Sequence, residues 1–234
     1  MPFEPGQRLS EKADHLGSLI QKTRTLVVEL DPVQGAALLI ERAGRMELVR
    51  KCDENLIDKV LEYNIYQVAA RLPNMGEGIS FGDDLGTQTG LAIGAERWRR
   101  LMKPCFRKLY GMIKSYKPDQ IIYMHTDGCI WEIMPDLVEC GVDIINPQFR
   151  ANGLENLVRV CRKERIITID LDLDRQLFPV ATRSQIFDHV GACVESLWMK
   201  EGGLGLNVWL NYEIPLENMA AVLDAVEKYR KYKG

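Results

Sequence analysis

The chain has 234 residues, 46% of them hydrophobic and 27% charged, with a net charge of -3. That is enough apolar material for one sizeable core, and the absence of any Lys/Arg block excludes the clustered basic face of a nucleic-acid binder. The opening MPFEPGQRLSEK has no apolar stretch of signal-peptide type, and no run approaches about 18 apolar residues, so the sequence reads as a soluble, cytoplasmic protein.

In chain order, short apolar runs alternate with longer amphipathic ones. Residues 1–23 read as an N-terminal helical extension of a single domain spanning 1–234. TLVVEL (Thr25–Leu30) has the pattern of a strand. The long segment LVRKCDENLIDKVLEYNIYQVAARL follows, with Leu56, Val60, Leu61 and Ile65 at helical spacing. GISFG is a short strand. GAERWRRLMKPCFRKLYGMIKSY supplies helices interrupted near Pro104, which lacks an amide hydrogen. Next come the strand QIIYMH, a helix ending at Gly141, the strand VDIINP, the helix GLENLVRVCRKE and the strand RIITIDLDL. A helix capped by Thr182, the strand LGLNVWL and a closing helix that starts near Pro215 complete the chain. About six β–α units with short apolar strands predict a parallel α/β fold covered on both faces. A closed (β/α)₈ barrel takes about 250 residues, so the expected architecture is a TIM-type barrel that is incomplete, its first strands missing.

In such folds, ligands meet the carboxyl ends of the strands. Behind GISFG stand Asp83, Asp84, Thr87, Gln88 and Thr89; behind QIIYM, His125, Asp127 and Cys129; behind VDIIN, Gln148. Behind RIITI come Asp170, Asp172 and Asp174, and the last strand leads into Asn207, Asn211 and Glu213. Polar residues therefore gather on one rim. His125, Asp127 and Cys129 are all capable of binding zinc, and a third ligand would have to come from another strand end, such as Asp83, Asp84 or Asp172. The plainer reading of His125 is a core imidazole satisfied by a carbonyl. Asp83 and Asp84 read either as a carboxylate pair sharing a proton or as a turn cap beside a solvated side chain. IDLDLD reads as an acidic cluster or as a strand end running into solvent. Gly128 allows a tight turn, and the helix after it is expected to leave N–H groups facing an anionic ligand. The six cysteines, Cys52, Cys105, Cys129, Cys140, Cys161 and Cys193, form no CxxC pair and read as reduced thiols, mostly small buried hydrophobes.

FGDDLGTQTG, HTDGCIWEIMPDLVECGVDIINP and IPLENMAAVLDAVEKY, in this order and spacing, resemble the uroporphyrinogen decarboxylase superfamily, from about Glu41 to the C-terminus. The similarity is greatest to members of the HSDG type, grouped with the corrinoid (cobalamin-dependent) methyltransferases. The resemblance implies a (β/α)₈ barrel with its site in the C-terminal mouth. It also implies a zinc held by a histidine, by a cysteine two residues on and by a last-strand cysteine. His125 matches the histidine, and Asp127 stands where the first cysteine would be, giving a harder donor set. LGLNVWLNYEIPLEN offers no second cysteine.

The leading expectation is thus a methyltransferase that moves a methyl group between a small substrate and a corrinoid on a partner protein. Asp83, Asp84 and His125 would be catalytic, and the metal set would be His125, Asp127 and Cys129. Thr87, Gln88, Thr89, Gln148, Asp170, Asp172, Asn207, Asn211 and Glu213 would bind substrate. Tetrapyrrole decarboxylation is a second reading, although the branch's last-strand histidine is lacking and the rim is acidic. A shortened, non-catalytic binding or assembly subunit is a third. With TLVVEL as third barrel strand, the first two are absent, and the exposed wall predicts a homo-oligomer or a subunit that completes the barrel.

Overall fold

The computed structural model describes the backbone from residue 46 to 234 and side chains from residue 55. The expected strand Thr25–Leu30 and the extension 1–23 lie outside the described residues, as does the side chain of Cys52. Backbone proximity divides the chain into Met1–Arg50 and Lys51–Gly234, and the fold below is that of the second unit.

Helix α1 (Met46–Arg71) leads through a 3₁₀ turn to β1 (Gly78–Gly82). Helices α2 (Ala95–Leu101) and α3 (Lys103–Tyr116) precede β2 (Ile121–Thr126). Helix α4 (Met134–Cys140) is followed by β3 (Ile144–Pro147), then by α5 (Phe149–Asn152) and α6 (Leu154–Val158). Strand β4 (Thr168–Asp172), helix α7 (Arg183–Leu197), strand β5 (Leu204–Asn207) and helix α8 (Leu216–Tyr229) complete the unit. The strands form one parallel sheet in the order β1-β2-β3-β4-β5, so each new strand is added beside the last. This is the wall of a TIM-type barrel, with β1 and β5 at the two ends of the sheet among the described residues. No helix among the described residues is long and apolar enough to cross a membrane.

Several boundaries follow directly from local chemistry. The break between α2 and α3 falls at Met102, and Pro104 sits in the first turn of α3, where a missing N–H costs nothing. Helix α4 stops at Gly141, whose φ of 113° only glycine adopts without strain. Thr182 and Gln185 form a reciprocal capping box on α7. The expected helix GLENLVRVCRKE is shorter than its sequence suggests: after α6 the chain widens into a π-turn over Arg159–Glu164. Inside it Arg162 donates to the carbonyls of Cys161, Ile167, Leu197 and Gly203, tying the turn to its neighbours.

The strands also differ from the expectation of two equally covered faces. In β2, Ile122, Met124 and Thr126 are fully buried, whereas Tyr123 and His125 are only half-buried. The first set faces the helices: the Tyr110 hydroxyl of α3 lies 3.4 Å from Met124 Sδ, and the rings of Phe81, Tyr110, Phe106 and Trp98 pack in sequence beside it. Fully burying each such aromatic contributes roughly 2–3 kcal/mol, so this layer anchors the sheet. The second set faces the other way, and there the polar residues collect.

Candidate metal-binding site

The geometry begins where β1 and β2 end. Their pairing runs on past the sheet: the N–H groups of Asp83 and Gly86 donate to the carbonyls of His125 and Asp127, both at 3.1 Å. Cys129 N–H then donates to Thr87 O at 2.7 Å, and Leu85 N–H to Thr126 Oγ1 at 3.2 Å. The two loops cross at a pair of glycines. A Cβ on Gly86 would stand 2.4 Å from Cys129 N, and one on Gly128 would stand 2.2 Å from the Gly86 carbonyl carbon. Gly128 also has φ +84°. Only glycines permit this approach, and it sets the DDLG loop directly against HTDG.

That crossing brings Asp84, His125 and Asp127 together, each offering one donor atom, all within 4.8 Å of one another. His125 Nε2 lies 3.4 Å from Asp127 Oδ1 and is not aligned with it as a hydrogen bond. Asp127 Oδ1 is a buried oxygen without a donor. The Arg175 guanidinium stands 3.6 Å from the other oxygen of Asp127. His125 Nδ1 meets Asn146 Oδ1 at 2.6 Å, and Asn146 Nδ2 donates to the carbonyl of Asp170. An orphaned carboxylate oxygen facing an imidazole and a second carboxylate is an arrangement that a divalent cation resolves, and the N/O donor set suits zinc. These residues fit a metal.

Asp84, rather than Cys129, is the residue whose donor atom lies within 4.8 Å of those of His125 and Asp127 among the described residues. Cys129 is buried, its amide donates to the Thr87 carbonyl, and burial raises its thiol pKa. The pair Asp83–Asp84 is split. Asp84 joins the cluster, whereas the charge of Asp83 is felt by Tyr110 on the helix side, where burial chiefly, and Asp83 next, raise the phenol pKa.

The N–H groups after Gly128 do not await an anion. Gly128 N–H donates to Gln148 Oε1 and Ile130 N–H to Asn152 Oδ1, both at 2.9 Å, while Asn152 Nδ2 donates back to the Gly128 and Gln148 carbonyls. Gln148 is therefore a clamp on the loop. Asn152, which nothing in its sequence neighbourhood singled out, is its partner.

Asp170 accepts from the Tyr123 hydroxyl at 2.9 Å, and Asn207 bonds the same tyrosine. Asp172, the last residue of β4, is 5% exposed, with one carboxylate oxygen lacking a donor. Burial raises its pKa, which nearby Arg175 opposes and Asp127 reinforces. Thr87, Gln88 and Thr89 are exposed, and the Thr87 hydroxyl closes its own turn on Gly90. Asn211 and Glu213 bond each other in the loop after β5.

Residues 46–229 match the family model of uroporphyrinogen decarboxylase (URO-D). The chain belongs to this family. No curated protein matches it. Among solved structures, a methyltransferase from Methanosarcina mazei is similar, with a TM-score of 0.54 and 15% identity over 88% of this chain and 56% of that one. A GH53 catalytic domain from Ignisphaera aggregans has a TM-score of 0.43 and 17% identity over 66% and 53%. The chain spans about half the length of these structures. The first likeness shows the fold: the five-stranded parallel wall is that of a URO-D-type barrel.

Proposed function

We propose that this URO-D family member is a metal-assisted methyltransferase that moves a methyl group between a small substrate and a corrinoid carried on a partner protein. The observation that carries the reading is the convergence of Asp84, His125 and Asp127 around an orphaned carboxylate oxygen at the strand ends. The likeness to a Methanosarcina mazei methyltransferase supports methyl transfer over other chemistries of the fold. Asp84, His125 and Asp127 would hold zinc, which supplies Lewis acidity toward the group that gives or takes the methyl. Asp172 and Asn207 sit on neighbouring strand ends in register and would line the substrate's side of the mouth. Tyr123, held by Asp170, lies two residues before His125 on the same half-buried face of β2. Arg175 balances the carboxylates of the rim without quenching them, since its contact with Asp127 is loose.

The test is metal content by elemental mass spectrometry on untagged protein, with His125→Ala beside it. About one zinc per chain, lost in the variant, is expected. Absence of metal from both samples would remove the zinc reading. Methyl transfer from a methylated corrinoid protein, followed by the change in the corrinoid spectrum, then tests the reaction itself.

A further inference from the structure

The hydrogen-bond partners of Asn146 determine which nitrogen of His125 is available. Asn146 lies on β3 directly opposite His125 in register, and is 4% exposed. One end of its carboxamide faces the backbone carbonyl of Asp170 and the other faces His125 Nδ1 at 2.6 Å. A backbone carbonyl only accepts hydrogen bonds, so the amide NH₂ must point toward Asp170. The carboxamide oxygen is then left against Nδ1, and because it too only accepts, Nδ1 must carry a hydrogen. Turning the amide over would let its NH₂ donate to a bare Nδ1 but would press its oxygen against the buried Asp170 carbonyl oxygen, losing that hydrogen bond and adding repulsion.

A neutral imidazole with its hydrogen on Nδ1 has its lone pair on Nε2. That is the ring atom on the Asp127 side, 3.4 Å from Asp127 Oδ1. We propose that Asn146 is the positioning residue that fixes His125 in the Nδ1–H tautomer, aiming the Nε2 lone pair at the cluster of Asp84 and Asp127. The use of that lone pair rests on the metal-site reading; the tautomer itself does not. The chain of control starts at a backbone atom, the Asp170 carbonyl in β4, and passes through β3 to β2. Sheet register thus sets the chemistry of a side chain two strands away. Donation of a ligand histidine's second N–H to a fixed acceptor both orients the ring and makes it a better donor to a metal.

Two measurements test this. The first is the ¹⁵N–¹H long-range spectrum of the His125 ring in metal-free protein, at a pH where the imidazole is neutral. Wild type is expected to show hydrogen on Nδ1; hydrogen on Nε2 would overturn the proposal without any variant. The second is chelator competition for Zn²⁺ with wild type, Asn146→Leu and Asn146→Asp, each first checked for folding by circular dichroism. Asn146→Leu should weaken zinc by about tenfold or more and mix the tautomers. Asn146→Asp keeps an acceptor at Nδ1 and should keep the Nδ1–H signature in the ring spectrum, at a cost in stability because its second oxygen faces the Asp170 carbonyl. An unchanged affinity and spectrum in Asn146→Leu, or loss of the Nδ1–H signature in both variants, would assign Asn146 to packing alone. Failure of wild type to bind zinc would sink the metal reading, while the ring spectrum would still decide the role of Asn146.

Discussion

Asp136 on α4 and Asp172 at the end of β4 are both nearly buried carboxylates, at 8% and 5% exposure, yet their surroundings are opposite. Asp136 accepts from Lys103 Nζ at 2.5 Å and Arg99 Nε at 2.9 Å; Lys103 also reaches Glu139 at 2.7 Å. Burial by itself would raise the Asp136 pKa, but these two donors outweigh it and hold the pKa below the usual carboxylate value. Asp172 has one oxygen without a donor, and burial raises its pKa. The outer helical layer answers its charges and gains stability. The strand-end mouth leaves one oxygen each of Asp127 and Asp172 without a donor, a cost that folds bear where a ligand is to be met.

The largest effect should come from the crossing that builds the mouth. Gly128→Ala puts a methyl group into the Gly86 backbone at a positive φ. It should cost about 3 kcal/mol or more, or prevent folding, as read by urea denaturation. An unfolding midpoint unchanged from wild type would show that the loops are not so tightly crossed.

Next, Asp84→Asn should lose the bound metal while Cys129→Ser keeps it, both measured by elemental analysis. The reverse result would restore the thiol to the metal set and take Asp84 out of it.

On the outer layer, Asp136→Asn should cost about 1.5 kcal/mol, the scale of hydrogen bonds to a charged group. The share from Arg99, itself 46% exposed, is the smaller because water screens it.

The two carboxylates should also respond to pH with opposite signs. The depressed folded pKa of Asp136 means that its stability is present above the ordinary carboxylate pKa and is lost as pH falls through the folded value. The raised folded pKa of Asp172 means that its ionised form costs stability, a cost relieved as pH falls from above the folded value toward the ordinary one. Asp172→Asn should therefore raise the denaturation midpoint of metal-free protein at neutral pH, whereas Asp136→Asn lowers it. Midpoints that move together would erase the contrast between the two regions. The smallest effect, about 1 kcal/mol, is expected from Thr182→Ala, which removes the cap of α7 far from both.

Much of the scaffold was legible in the sequence because its signals are local. Apolar runs of strand length, Pro104, Gly141, Thr182 and Pro215 act through the backbone of their own neighbours, and each marks an element boundary where expected. The gathering of polar residues at strand ends was also legible, since a parallel α/β fold has only one rim on which they can meet. Which residues of that rim touch was decided by tertiary structure alone. The Gly86–Gly128 crossing set Asp84 beside His125 and Asp127, and apart from Asp83. Asn146 and Asn152, silent in the sequence, became the residues that hold His125 and the loop after it, because register and packing set their amides against particular backbone atoms. Side-chain chemistry is written into the chain one residue at a time, whereas a site depends on distances between strands that no local pattern encodes.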